Sequence, residues 1–176
     1  MLYPDLFASL EEARWSLSKD VPANARTYEF YLRATALAND PKSWDLAIRL
    51  YEQCLVEDPA YAPAWARLGR LHRLTAKYGG DAGSGHVALS EAALRRALEL
   101  NPDLELAHNH YAQLELDQGL SRQSMVRLLS RLTLRRRDVD LFTGLVTSLR
   151  FCGLLQASRT AAERALALDR DARTSL

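Results

Sequence analysis

The sequence predicts an all-α fold, a right-handed superhelical stack of helix-turn-helix units behind an N-terminal capping helix, and three observations predict it. Apolar residues recur at three- and four-residue spacing along nearly the whole chain, the stripe of a helix facing a core. Glycine, proline and asparagine interrupt these stripes at regular places. The same pattern then returns after 34 residues: His108, Tyr111 and Ala112 recur as Phe142, Leu145 and Val146, and the turn at Gly119 recurs at Gly153.

Residues 1–25 form the cap and its linker. Leu6, Leu10, Ala13 and Leu17 make one stripe after Pro4 and Asp5, with Trp15 to one side. Asp20, Val21, Pro22, Ala23 and Asn24 break it, since proline disfavours helix in the residue before it. The first pair, 26–60, joins a run containing Tyr28, Phe30, Tyr31 and Leu32 to a helix capped by Ser43. That second helix carries Ala47, Tyr51 and Cys54 and stops at Asp58 and Pro59. The next pair, 61–103, opens with Trp65, Leu68, Gly69 and His72 and closes with Ser90, Leu94, Ala97 and Pro102, at the spacings of Ala47, Tyr51, Cys54 and Pro59. A glycine-rich insertion of nine residues, 78–86, separates its helices, tolerable because loop closure costs only about 0.6 kcal/mol per doubling of length. Pairs 104–137 and 138–170 follow without a gap, with Ser124, Leu128 and Arg131 and then Ser158, Ala162, Ala165 and Leu168 in the second helices, and a short tail ends the chain.

One helical pair cannot bury its apolar face alone, so Trp65, Leu68, Leu94 and Leu98 need neighbouring pairs. Gly69, Ala97 and Ala165 lack large side chains and let helices approach closely. With the W-x2-L-G run at Trp65, the small residues of the second helices and the closing proline, residues 26–169 resemble the tetratricopeptide (TPR) repeat. Arg131 stands where that repeat has a small residue, and Arg136 and Arg170 replace its proline. The segment from Tyr28 to Pro59 is also similar to the repeat regions of bacterial adenylate cyclase-like and serine/threonine kinase-like regulators. The resemblance implies a protein-protein interaction scaffold or adaptor, or else an oligomerising or regulatory module of a larger bacterial signalling protein.

Composition excludes several other classes. The chain has 176 residues, 48% hydrophobic and 26% charged, enough for one buried domain and too polar for a membrane protein. Lys plus Arg number 23 against 22 for Asp plus Glu, so no whole-molecule field directs it to nucleic acid or a membrane. Cys54 and Cys152 fall within helical stretches without ligand spacing, and no leader or spanning segment is visible, so both are expected reduced and buried in a cytoplasmic protein.

Catalytic and metal readings find little. The glycines from Gly79 to Gly85 lack the preceding strand and the Gly-Lys-Ser/Thr of a phosphate loop. Among His72, His86, His108 and His110, the last two are two apart and point to different helix faces, so no metal site is expected, and His72 and His108 fall on packing positions. No nucleophile elbow or HExxH run is present, so neither catalytic residues nor a cofactor are expected.

Two surfaces remain. In a stack of helical pairs the first helix of each pair lines the concave side. The register places Arg67, Arg70 and Arg73 there in one unit, Asn109, His110 and Gln113 in the next, and Thr143, Thr147 and Arg150 in the last. This polar, net basic lining suits a partner protein or peptide carrying acidic groups, held by Arg forks and amides. The clamp by which some tetratricopeptide domains hold a chaperone's C-terminal carboxylate is not expected, because Ala66, Asp140 and Gly144 occupy three of its places. Arg127, Arg131, Arg135, Arg136 and Arg137 form a basic cluster, the alternative seat for RNA or another polyanion. Their four-residue spacing and missing aromatic neighbours favour a solvated helix face instead. Finally, Leu166 and Leu168 on the last helix, residues 156–168, are expected to leave an apolar face for self-association.

Overall fold

A computed structural model describes residues 20–80, 85–135 and 137–174, the last four of these in backbone only. Residues 1–19, which carry most of the expected capping helix, lie outside the described residues. Within them the chain is all-helical. The elements are α1 (Ala25–Leu37), a 3-10 turn (Pro41–Ser43), α2 (Trp44–Glu57), α3 (Ala62–Tyr78), α4 (His86–Leu100), α5 (Glu105–Asp117), α6 (Ser121–Leu134), α7 (Val139–Phe151) and α8 (Leu155–Thr174). The described residues thus hold eight α-helices. The chain divides into two compact units, Met1–Ala107 and His108–Leu176, with the division inside α5.

In the first unit, α1 packs on α2, α2 on α3, and α3 on α4. Asn24 caps α1, its Oδ1 accepting from the Thr27 amide at 2.9 Å. Ser43 holds the cap position of α2 but makes no cap bond; its hydroxyl donates to Asp40 at 3.0 Å, and Asp40 caps the 3-10 turn instead. Two register-equivalent residues shape the joints between pairs. Asp58 accepts from the Ala60 amide and Asn101 from the Asp103 amide, each at 3.1 Å, so both close the same turn two residues on. Both also reach the segment before α1: Asp58 Oδ2 accepts from the Ala23 amide at 2.9 Å, and Asn101 Nδ2 donates to Asp20 at 2.9 Å.

The core of this unit follows the repeat. Ala47, Tyr51, Cys54, Leu68, Leu71, Leu94 and Ala97 are buried. A fully buried leucine such as Leu94 contributes roughly 1.5–3 kcal/mol. Tyr31 meets Tyr51 and Tyr61 edge-on, at 5.9 and 5.2 Å between centroids. Trp65 bridges this core and a second cluster of Ala62, Ala66, Ala97 and Ala107, and its indole N–H donates to the Pro59 carbonyl at 2.9 Å. Gly69 is needed for contact: a Cβ there would sit 2.6 Å from Leu94 Cγ.

In the second unit, α6 packs on α7 and α7 on α8, around Ala112, Leu128, Leu141, Leu145, Leu149 and Ala161. Gly119 and Gly153, one period apart, make the two turns with φ of +79° and +76°, a region that favours glycine. The last helix is longer than the sequence suggests. Arg170 stands where proline closes the first two pairs, nothing after it breaks a helix, and α8 runs on to Thr174.

Candidate functional site

Three half-buried arginines, Arg67, Arg70 and Arg73, lie on α3, three residues apart. Tyr51 of α2 lies within electrostatic reach of Arg67 and Arg70, and its hydroxyl is 2.9 Å from that of Thr35 on α1. Burial pushes the Tyr51 phenol up to about 12, against the Thr35 hydrogen bond and the two arginines. Arg70 is driven below its ordinary pKa, first by loss of water and then by repulsion from Arg67 and Arg73. Among the described residues only the Tyr51 phenol acts on it in the other direction. No carboxylate among the described residues neutralises it. The Arg67 Nε is buried without a hydrogen-bond partner among the described residues. Half-desolvated guanidinium groups of this kind are costly alone and bind oxyanions well.

The second unit holds the other expected contacts, and they differ in availability. Asn109 Oδ1 is buried without a partner among the described residues, beside α7, where it lies 3.9 Å from the position of a Cβ on Gly144. Gln113 and Thr147 are half-buried. Thr143 is exposed, but its hydroxyl donates to the Val139 carbonyl of its own helix at 2.9 Å. Arg150 is exposed, with its guanidinium 5.5 Å from the Phe151 ring centre. His110 corrects the expectation: it is 8% exposed. It falls three residues after Ala107 and four before Leu114, both buried, and so lies on the core stripe of α5 rather than beside it.

The basic cluster is also corrected, because two of its members face inward. Arg127 holds Glu115 with a two-pronged pair, Nη2 to Oε1 at 2.7 Å and Nε to Oε2 at 3.1 Å, and stacks 4.1 Å above the Tyr111 ring centre. Glu115 is 6% exposed at its side chain and Arg127 is 23% exposed. Arg131 is buried in the place of the expected small residue. Arg135 and Arg137 are exposed, and Arg136 lies outside the described residues. Sequence spacing alone gave no signal for the Glu115–Arg127 pair, since twelve residues separate the two across a turn.

His72 and His86 meet across α3 and α4, with Nδ1 atoms 2.8 Å apart. Burial, and then the charge of His86, pull His72 down to about 4, so it is neutral at pH 7. No group of three or more His, Cys, Asp or Glu that would hold a metal occurs among the described residues. Cys54 is buried and its thiol is pushed up to about 12 by burial and then by Asp58, whereas Cys152 is only half-buried. At the chain's end, Leu166 is 57% exposed but Leu168 is 4% exposed and belongs to the core. The outer face of α8 instead carries the Arg159–Glu163 pair, at 2.9 Å, so the expected apolar face is narrower than two leucines. No helix among the described residues is long and apolar enough to cross a membrane.

No known family profile matches the sequence, and no curated protein does. Solved structures do match in fold. The chain is similar to a MamA point mutant at 17% identity and a TM-score of 0.50, over 70% of this chain and 67% of that one. It is similar to the structure described as "MamA MSR-1 C2" at 16% identity and a TM-score of 0.54, over 74% of this chain and 70% of that one. MamA is a TPR-like helical repeat protein, and the fold of this chain is of that helical-repeat type.

Proposed function

We propose that the chain is a protein-interaction module, and that the α3 face of its first unit takes an acidic segment of a partner protein. The observation that carries this is the pair Arg67 and Arg70, half-buried, mutually repelling and, among the described residues, without a carboxylate to neutralise Arg70. A partner's Asp or Glu supplies the missing charge and accepts from the guanidinium N–H groups, including the buried Arg67 Nε. In the second unit, Asn109, Gln113, Thr147 and Arg150 are the polar side chains that would offer amide and backbone hydrogen bonds to the same class of partner. The polyanion alternative is less favoured, because Arg127 is committed to Glu115 and Arg131 is buried. A cytoplasmic setting and a scaffold role within a larger assembly belong to the same proposal.

The test is binding of a fluorescent peptide rich in Asp and Glu, measured by anisotropy for wild type and for an Arg67→Glu, Arg70→Glu variant checked by circular dichroism. The variant is expected to lose at least tenfold in affinity, with binding that weakens as salt rises. Equal affinity in the two proteins would remove the α3 face as the site.

A further inference from the structure

We propose that His72 and His86 form a site for a divalent transition-metal ion of the Cu(II) or Ni(II) type, bound through both Nδ1 atoms. The two nitrogens converge from different helices, 2.8 Å apart, with ring centroids 4.9 Å apart and planes inclined by 45°. Without a metal the pair shares one hydrogen; with both imidazoles in the Nε2–H tautomer, two lone pairs are available to one ion. Bond lengths of about 2.0–2.1 Å from nitrogen to metal and this separation give a bond angle of roughly 85–90°. That is the cis angle of a square-planar or tetragonal site, the geometry of Cu(II) and Ni(II). Tetrahedral zinc requires nitrogens about 3.3 Å apart and fits less well. Aiming both lone pairs at one ion requires each ring to turn about χ2, a soft torsion for histidine, with the two nitrogens kept near their present separation.

The frame around the pair is firm. The Ser90 hydroxyl donates to the Gly69 carbonyl at 2.8 Å, and Gly69 lies against Leu94, so α3 and α4 are held at a fixed spacing. His72 is buried, and His86 is half-buried at the first turn of α4. His86 is the less buried of the two and is the side from which water would complete the coordination. The donor set is neutral and nitrogenous, which disfavours calcium and magnesium.

The experiment adds Cu(II) or Ni(II) alone to the full chain, with calorimetry for both ions and electron paramagnetic resonance for Cu(II). One equivalent is expected to bind, with hyperfine coupling from two imidazole nitrogens. His86→Gln, at a half-buried helix start, is expected to weaken binding at least tenfold, while His108→Gln leaves it unchanged. Absence of binding to the wild type, a Cu(II) signal without imidazole nitrogen, or equal affinity in wild type and His86→Gln overturns the proposal. That outcome would leave the pair as a shared-proton hydrogen bond.

Discussion

The two units fill the same repeat frame with different chemistry. In the first, the positions where a second helix meets its neighbours hold Ala47, Tyr51 and Cys54 and then Ser90, Leu94 and Ala97, and the contact is close and mostly apolar. In the second, the corresponding places hold Ser124, Leu128 and Arg131, and the hold is more polar: Ser124 to Ser148 at 2.8 Å, and Arg127 to Glu115. The repeat thus determines where helices touch, while the filling of each contact is a local choice. A close apolar contact tolerates no added volume, and a buried ion pair tolerates no lost partner.

The largest effect is expected at the ion pair. Glu115→Ala leaves the Arg127 guanidinium poorly solvated above Tyr111 without its carboxylate, and breaking such a pair typically costs about 3–5 kcal/mol. Arg127→Lys keeps the charge but not the two-pronged geometry and is expected to fall between that variant and wild type. Replacing both partners, as Glu115→Leu with Arg127→Met, is expected to recover most of the loss. Urea denaturation followed by circular dichroism measures all four proteins. A cost below about 1 kcal/mol for Glu115→Ala is what a surface pair would show, and it would end the contrast between the units.

Next in size is the glycine contact of the first unit. In Gly69→Ala the new methyl meets Leu94 Cγ at 2.6 Å and the Ser90 carbonyl at 3.2 Å, so an overpacking cost of about 1–3 kcal/mol is expected. Gly144→Ala in the second unit is the matched control. Its methyl first meets Leu128 Cδ1 at 3.0 Å, the movable end of a side chain. The gain in helix propensity, up to about 1 kcal/mol, offsets that contact. Thermal midpoints of the two variants distinguish the cases: Gly69→Ala falls by several degrees and Gly144→Ala stays near wild type. Equal shifts would mean that the first unit is no more tightly packed than the second.

These contacts also show what was legible in the sequence. The period of 34 residues, the turn glycines and the apolar stripes placed the helices and their turns, because each depends on spacing along one helix. That Arg67, Arg70 and Arg73 share one helix was legible for the same reason. His110 was not, because its place on the core stripe depends on how far that stripe extends around α5, and one residue of rotation turns a helix by about 100°. Arg127 and Arg131 misled in a similar way: a row of arginines reads as a wet face unless a carboxylate from another helix is known to meet it. The Glu115–Arg127 and His72–His86 pairs both cross a turn, and the second crosses the glycine-rich insertion as well. Ligand spacing within one helix cannot detect them.

The smallest expected effect separates the repeat frame from its filling most finely. Ser90 and Ser158 hold equivalent places, and each hydroxyl donates to an equivalent carbonyl of the first helix, Gly69 and Val146, at 2.8 Å in both cases. Ser124, between them in register, meets the Ser148 hydroxyl instead. Ser90→Ala and Ser158→Ala should therefore each cost about 1 kcal/mol, the net worth of one such bond. Ser124→Ala should cost less, because Ser148 keeps its own bond to the Gly144 carbonyl at 3.1 Å and no hydroxyl is stranded. The three urea midpoints, compared at constant slope, read the difference directly. Three equal costs would mean that the serine is retained for its small volume alone, and that the bond to the first helix adds nothing the repeat needs.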